Sequence, residues 1–326
     1  MQNRKCLAAM FAVACALTVS EAGVAYAETF PTKSIRVIVP LSAGSATDII
    51  PRTVFEQVST QVGQSFVIEN RTGGGGTIGA GAVAKADPDG YTLLVHSNAH
   101  VIAPAVFANL PYDVTRDFAG ITPLGILPHV LVIAPSKNVK TLQEFVAYAK
   151  AQAGGINYAS GGTGTSPHLN GEHFGLSMGF KTQHIPFRGA PEALTEVMAG
   201  RVDIYFSPIL PALPLVRDGQ LLALAVTSSK RSSELPKVPT SIEAGYPNSE
   251  FGLWIGMYAP AKTPRDIVNK LNEETVKALR NPTVREKLAK LGVDEMIMSP
   301  EKFDDYVRAQ VEINAKIAKG AGIVPK

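Results

Sequence analysis

The stretch Ser34–Asn70, SIRVIVPLSAGSATDIIPRTVFEQVSTQVGQSFVIEN, contains a strand, a helix and a second strand in succession. Residues 34–41 form a continuous apolar run rich in β-branched side chains, which is typical of a buried strand. Residues 48–63 repeat apolar side chains at helical spacing and end in a glycine. A short helix over 77–87 and a third strand over 91–97 follow. This βαβαβ order predicts a parallel sheet covered by helices on both faces.

A second series of strands and helices follows the first. Strand-like runs cover 129–135 and 156–160, and a helical pattern covers 141–152 between them. Two amphipathic segments near the C-terminus, 264–280 and 300–320, predict long helices. Two α/β units predict an α/β fold of two lobes, and the cleft between lobes is a common place for a small-molecule site.

The N-terminal segment has the pattern of a secretory signal peptide. Two basic residues precede an apolar run, and Ala25, Tyr26 and Ala27 form a small-x-small cleavage site, so we expect residues 1–27 to be removed. Both cysteines, Cys6 and Cys15, lie inside this segment, so the mature chain has no disulfide. Lipid attachment at Cys15 is an alternative, but the preceding residues lack the usual leucine.

The charge of the chain excludes one class of partner. The formal net charge is only +3 over 326 residues, and the basic residues are not clustered. A nucleic-acid-binding protein shows a concentrated basic face. We therefore expect no nucleic-acid partner.

The tetraglycine loop raises the possibility of a nucleotide cofactor. Gly74, Gly76 and Gly79 fit the pattern G-x-G-x-x-G. A dinucleotide site also needs an acidic residue at the end of the next strand to bind the ribose, and that strand ends in His96 and Ser97. The glycines are therefore interpreted as a tight turn that allows close helix packing, and no cofactor is expected. The histidine spacing likewise fits no metal motif.

Three loops lead into helices whose first turns contain proline. Asp48 is predicted as an N-cap that places Pro51 in the first turn, and Ser166 as the N-cap before Pro167. Pro191 is predicted at the first position of a third helix. Free N–H groups at helix N-termini bind anions, so these glycine- and hydroxyl-rich loops predict an anion site.

The sequence resembles the Bug-type solute receptors of tripartite tricarboxylate transporters. The matching stretches run in order through the mature chain: PTKSIRVIVPLSAGSATDIIPR, VIENRTGGGGTIGAGAVAKADPDGYTLL, LPYDVTRDFAGITPL, YASGGTGTSPHLNGEHF, IPFRGAPEALTEVMAGRVDIYF and LLALAVTSSKRSSELPKVPTSIEAGYP. The resemblance implies a periplasmic, type II-like binding protein of two lobes that closes on a small organic acid. Residues 28–127 with 251–326 are assigned to lobe I, and residues 128–250 to lobe II.

The resemblance also implies where the ligand binds. The first strand is expected between the second and third, so the loops after strands one and three meet the ligand and the tetraglycine loop lies to one side. The carboxylate is expected at the loop after the first strand and at its counterpart in the second lobe. The predicted ligand-binding residues are Ser42, Ala43, Gly44, Ser45, Ala46, Thr47, Ser97, Asn98, His100, Gly162, Thr163, Gly164, Thr165, Ser166, Phe187, Arg188, Gly189 and Asp203.

Several of these assignments have alternatives. Arg188 pairs with a distal carboxylate or is simply solvated. Asp203 is a pocket residue or a structural hydrogen-bond acceptor. Ser207 stands where the family usually has an aspartate, which argues against a ligand with an ammonium group.

Two other functional classes fit the sequence less well. A secreted hydrolase of small carboxylate esters needs a G-x-S-x-G nucleophile elbow, which the sequence lacks. The effector domain of a transcription regulator shares the general fold, but the signal peptide opposes it. We therefore expect a monomeric receptor that delivers a mono- or dicarboxylate, aliphatic or aromatic, to the membrane components of a transporter.

Overall fold

A computed structural model describes residues 30–246, 249, 251–320 and 322–325. The predicted signal peptide and both cysteines lie outside the described residues. Lys33–Lys326 forms one compact unit, and the fold below is that of this unit. Among the described residues, no helix is both long and apolar enough to cross a bilayer.

The described strands join into a single hydrogen-bonded path in the order β2-β1-β3-β9-β4-β7-β5-β6, with β8 paired to β4. The strands are β1 (Ile35–Val39), β2 (Phe66–Asn70), β3 (Thr92–Ser97), β4 (Phe118–Ile133), β5 (Ile156–Ser160), β6 (Thr182–Pro186), β7 (Ile204–Pro208), β8 (Leu222–Val226) and β9 (Gly252–Pro260). β1 lies between β2 and β3 and is parallel to both, as the resemblance implied. The fold class predicted from the sequence is confirmed.

Helices connect and cover these strands. They are α1 (Ala46–Val62), α2 (Thr77–Ala84), α3 (Ala99–Val106), α4 (Leu142–Ala151), α5 (Ser166–Met178), α6 (Ala190–Met198), α7 (Ile209–Arg217), α8 (Arg265–Leu279), α9 (Pro282–Lys290) and α10 (Pro300–Gly320). Two 3₁₀ turns, Gly74–Gly76 and Pro135–Lys137, complete the described elements. Helices α3, α7 and α9 were not predicted from the sequence; α3 and α7 contain an interior proline.

The long strand β4 belongs to both parts of the sheet. Residues 118–128 pair with β9, and residues 129–133 pair with β7 and β8. We call β1, β2, β3, β9 and the beginning of β4 the β1 half, and β5 to β8 with the end of β4 the β5 half. The parallel strands of both halves thus depend on one antiparallel pair for their relative position.

Each half has its own apolar core. Ile38, Leu94 and Trp254 belong to the core of the β1 half, and Leu131 and Phe206 to that of the β5 half. A smaller cluster joins the two, because Ile102 and Val106 of α3 pack with Leu169 of α5. Burial of such side chains, at about 25 cal/mol per Å² of apolar surface, stabilises each half and also the arrangement of one half against the other.

Gly171 sets the position of α5 on the sheet. A β-carbon at this residue would overlap the ring of Tyr158 on β5. The hydroxyl of Tyr158 donates a hydrogen bond to Glu172 at 2.7 Å, one residue further along the helix. The absence of a side chain therefore allows α5 to lie close to β5, which fixes the start of the helix at the end of the strand.

We expect Gly171→Ala to lower the free energy of unfolding by about 1–3 kcal/mol, because overpacking at a tight contact costs more than the helix propensity gained. Urea unfolding measures this change. Gly154→Ala is the matched control, since nothing lies within 4 Å of a β-carbon there. Equal stabilities of the two variants would contradict this account of α5.

Candidate functional site

The loop after β1 ends in Ser45, which is the N-cap of α1. The prediction that Asp48 is the N-cap was wrong. The helix begins at Ala46, so Asp48 is at the third helical position and Pro51 is inside the helix. The N–H groups of Ala46 and Thr47 belong to the first turn, where they have no intrahelical acceptor. These two buried residues therefore present donors at the helix start.

The Asp48 carboxylate holds this loop together. It accepts hydrogen bonds from Gly44 N at 3.0 Å, from Arg52 Nη2 at 2.8 Å and from Asn70 Nδ2 at 2.9 Å. Burial favours a raised pKa for Asp48, but the hydrogen bonds and the Arg52 charge outweigh burial and lower it below the usual value. The side chain is thus fully engaged within the protein, which supports its structural role.

The loop after β5 has a parallel construction. Thr165 is the N-cap of α5, and Ser166 and Pro167 are the first two helical residues. The helix therefore begins one residue earlier than the prediction, which had Ser166 as the N-cap. The Thr165 hydroxyl donates to Gly162 O at 2.7 Å. Gly162 and Gly164 have φ values of 130° and 81°, in the region that favours glycine.

The helix α6 begins after Gly189, which is its N-cap, with Pro191 at the second helical position rather than the first. Arg188 N donates to Glu192 Oε2 at 3.1 Å, and the Arg188 side chain is exposed. This loop therefore contributes its backbone and a solvated guanidinium.

The loops of the two halves meet face to face. A β-carbon on Gly189 would overlap Ser42 Oγ, and one on Gly44 would lie 3.5 Å from Pro191 Cγ. The absence of a side chain at Gly189 leaves room for the loop after β1 to lie directly against the start of α6.

The tetraglycine loop takes part in the same contact. A β-carbon on Gly75 would overlap the carbonyl oxygen of Thr163, and one on Gly162 would lie 3.4 Å from Gly75 Cα. The expectation that this loop lies to one side was therefore wrong. Gly79 has the predicted packing role, since a β-carbon there would lie 2.7 Å from Pro40 Cβ.

An open cavity of about 430 Å³ lies where these loops meet. Its lining residues come from both halves and include four of the sequence-predicted positions, Gly162, Thr163, Phe187 and Arg188. They are Pro40, Leu41, Gly73, Gly74, Gly75, Gly76, Phe107, Gly161, Gly162, Thr163, Pro186, Phe187, Arg188 and Glu192. Arg188 is the one cationic side chain among these lining residues.

Two serine hydroxyls beside this contact have no partner. Ser42 Oγ and Ser45 Oγ are buried and make no hydrogen bond. Buried polar atoms are nearly always hydrogen-bonded, so this unpartnered pair beside a helix N-terminus is open to a partner such as a water or a ligand. Ala43, on the same loop, is exposed.

The end of β3 places one further unpartnered polar group outside the loop cavity. Asn98 Nδ2 donates to Gly252 O at 3.1 Å, which leaves its buried Oδ1 without a partner. Ser97 Oγ accepts from Ala99 N at 3.3 Å. These residues begin α3 and stand between the halves.

The structure does not bring His100 to the loops. Its ring is fully buried between Phe118, with centroids 4.6 Å apart, and Tyr258, at 4.9 Å. Burial, together with the neighbouring His96, lowers the pKa of His100 well below its usual value. A neutral imidazole in an aromatic core is a packing group.

Asp203 is also separate from the other predicted residues. It pairs with Lys137 and accepts a hydrogen bond from Asn157 N at 2.8 Å, at the amino ends of β5 and β7. The loop before α5, which was predicted to bind the anion, follows the carboxyl end of β5. The structure thus favours the structural alternative for Asp203.

His129 is a polar residue that the sequence analysis missed. It is fully buried on β4, where Nδ1 lies 3.1 Å from Phe251 O and Nε2 lies 3.0 Å from Ser166 Oγ. A carbonyl can only accept, so Nδ1 carries the proton and the Ser166 hydroxyl donates to Nε2. Burial lowers the pKa of His129 to about 4, which keeps the ring neutral. The apolar run around His129 gave no signal of this role.

This arrangement changes the predicted role of two hydroxyls. Ser166 uses its proton on His129, and Thr165 uses its own on Gly162. Neither hydroxyl is therefore free to donate to an anion, whereas those of Ser42 and Ser45 are. Among the described residues, no group of three potential metal ligands comes together.

Comparison with known protein families gives a match along most of the chain. Residues 50–323 match the family described as tripartite tricarboxylate transporter family receptor. The chain is 35% identical over 301 residues to a protein from the tcbD–tcbE intergenic region of Pseudomonas sp. (strain P51), with 92% of this chain and 90% of that one covered. It is 33% identical over 298 residues to protein BugT of Bordetella pertussis, covering 91% of each.

Solved structures show the same similarity. The periplasmic binding protein BugD superposes with a TM-score of 0.87 at 31% identity, covering 91% of this chain and 100% of that one. An R. palustris protein with adipate gives the same values. MatC from Rhodopseudomonas palustris with bound malate gives a TM-score of 0.84 at 32% identity, covering 88% and 99%.

Asp48→Asn tests the structural role of the carboxylate. We expect it to lower the free energy of unfolding at pH 7 by about 1–3 kcal/mol, since hydrogen bonds to a charged group are lost. The folded pKa of Asp48 is depressed, so its contribution is present above the unfolded pKa of about 3.9 and is lost as the pH falls through the folded pKa. Urea unfolding should show that the difference in the free energy of unfolding between Asp48→Asn and wild type is smaller at pH 3 than at pH 7.

Asp87→Asn is the control for this experiment, because Asp87 is exposed. It should leave stability unchanged at both pH values. A deficit for Asp48→Asn that persists at pH 3 would contradict the electrostatic explanation.

Proposed function

Because the chain belongs to the tripartite tricarboxylate transporter receptor family, we propose that it captures a small organic carboxylate between its two halves and delivers it to the membrane components of such a transporter. The family and its structural neighbours are periplasmic solute-binding proteins. The single observation that supports the site is the pair of buried, unpartnered hydroxyls of Ser42 and Ser45 at the start of α1.

The chain is a binding protein and not a hydrolase. Its family and structural neighbours bind ligands, and two of those neighbours hold adipate and malate. The Ser166–His129 pair has some likeness to a hydrolase dyad, but the second ring nitrogen of His129 meets the Phe251 carbonyl rather than a carboxylate. Such a histidine orients the Ser166 hydroxyl, but its ring is not supported by a carboxylate as the general base of a catalytic triad is.

In the proposed mode the carboxylate is held by neutral donors. The first-turn amides of α1 and the two serine hydroxyls face the start of α6, whose amides and dipole also favour an anion. Arg188, which lines the open cavity, is exposed and is free to meet a second carboxylate or solvent. A dicarboxylate and a monocarboxylate therefore both fit this arrangement.

Closure of the lobes follows from the same arrangement. Donors on lobe I (residues 28–127 with 251–326) and lobe II (residues 128–250) contact one carboxylate together only when the cleft is shut. The ligand would then stabilise the closed state by its additional contacts there. Contacts such as Ser42 with Gly189 are those expected of the closed arrangement.

Ser42→Ala and Ser45→Ala should each weaken binding about tenfold, since each removes one hydrogen bond to a charged group. Isothermal titration with adipate, malate and a panel of monocarboxylates first identifies a ligand and then measures the loss. Ser34→Ala, at an exposed serine before β1, should bind as wild type does. A primary amide analogue that binds as well as its acid would show that the anchoring site is elsewhere.

The proposed periplasmic location has its own test. Intact-mass analysis of the exported protein should give a mature chain that begins at Glu28 and carries no lipid. A diacylglycerol adduct on Cys15 would show that the lipoprotein alternative is correct, and an unprocessed chain would contradict export.

A further inference from the structure

A second cavity, of about 270 Å³, lies between the halves and beside the C-terminal helix α10. Its walls include Ile126 of β4 and Trp254 of β9, close to the points at which these strands join the two halves. Leu169 of α5 and Ile317 of α10 form further apolar wall. The cavity has different walls from the loop cavity and includes none of the tetraglycine residues.

Three buried polar groups of this cavity are unsatisfied. Asn98 Oδ1, Asn170 Oδ1 and Trp254 Nε1 have no hydrogen-bond partner, and their residues are 7%, 1% and 2% exposed. The orientation of Asn98 is fixed, because its Nδ2 donates to Gly252 O. An indole N–H can only donate. The cavity therefore presents at least one fixed acceptor, one fixed donor and one amide.

The absence of charged side chains from the described wall determines what kind of molecule the cavity binds. Among the described residues that line this cavity, none has a charged side chain. A carboxylate or ammonium that is desolvated against these three buried side chains without a counter-ion is strongly unfavourable, whereas a neutral group that both donates and accepts would satisfy them. The remaining wall is mainly aliphatic and aromatic, so it matches an apolar body.

We propose that this cavity is a second binding site, for an uncharged molecule with an apolar body and one head group that both donates and accepts hydrogen bonds, such as a primary amide or an alcohol. The site is separate from the loop cavity because the two share no lining residue and only this one includes α10; Asn98 and Ser166, predicted from the sequence to bind the carboxylate, line this second cavity instead. Its occupant touches residues of both halves, so it binds where the two halves are joined.

The volume limits the size of the occupant. One water takes about 30 Å³ of liquid volume, so the cavity holds a molecule of roughly ten non-hydrogen atoms. Cyclohexanecarboxamide fits this limit and carries the required head group. Cyclohexanecarboxylate has the same shape and a negative charge, which makes it the matched comparison.

The chain contains a built-in reporter of this cavity. Trp254 is the one tryptophan in the sequence, so the indole N–H resonance arises from the cavity wall alone. We expect cyclohexanecarboxamide to shift this resonance saturably, with a dissociation constant of about 1 mM for a ligand of this size. Intermolecular NOEs should connect its ring protons to the indole N–H, and the carboxylate should bind at least about tenfold more weakly.

Two variants test the assignment. Asn170→Leu removes one polar group from the wall and should weaken the binding of cyclohexanecarboxamide about tenfold. Ile313→Phe narrows the cavity from a half-exposed position on α10 and should also weaken binding, with little risk to folding. Ile242→Phe, at a similarly exposed isoleucine outside the cavity wall, should bind as wild type does.

The proposal is overturned if the amide gives no saturable shift or no NOE to the indole. It is also overturned if Ile313→Phe binds the amide at full strength, because the probe is then elsewhere. In either case ordered water alone satisfies the three groups.

Discussion

The pairing of β4 with β9 is the constraint on which the rest of the structure depends. Phe118–Pro128 runs antiparallel to Gly252–Pro260, and β4 then continues into the β5 half. The parallel strands on each side extend outward from this pair, so the loops that follow β1 and β5 are brought face to face. Both cavities lie where these halves meet, and a shift of the central pair would therefore alter both sites together.

Hydrogen bonding distinguishes the structural polar groups from those that are free for a ligand. The Asp48 carboxylate has partners on Gly44, Arg52 and Asn70, and the His129 ring has partners on both nitrogens. Ser42 and Ser45, on the same loop as Gly44, have none. Since an unsatisfied buried group costs about 1–3 kcal/mol, this contrast within a few residues supports the proposal that Asp48 stabilises the loop and that a ligand meets the two serine hydroxyls.

Sequence patterns predicted the elements that neighbouring residues determine. They failed where contacts between residues far apart in the chain determine the structure. The apolar runs of β1, β2 and β3 are recognisable because these strands are buried parallel strands. The start of α1 was misplaced by assuming that Pro51 must lie in the first turn, whereas the helix tolerates it in its interior. The burial of His100 among aromatic rings, and the contact of Gly75 with Thr163, join residues far apart in the chain and leave no periodic signal.

Charge separates the two cavities at the junction of the halves. The loop cavity has Arg188 and Glu192 in its wall, and the free donors of α1 lie beside it. The cavity beside α10 has no charged side chain among its described lining residues. Ser166 begins α5 and lines the second cavity, while Gly162 and Thr163 of the preceding loop line the first. A single strand-to-helix connection, from β5 to α5, thus supplies wall to both, because its first residues line one cavity and the start of its helix lines the other.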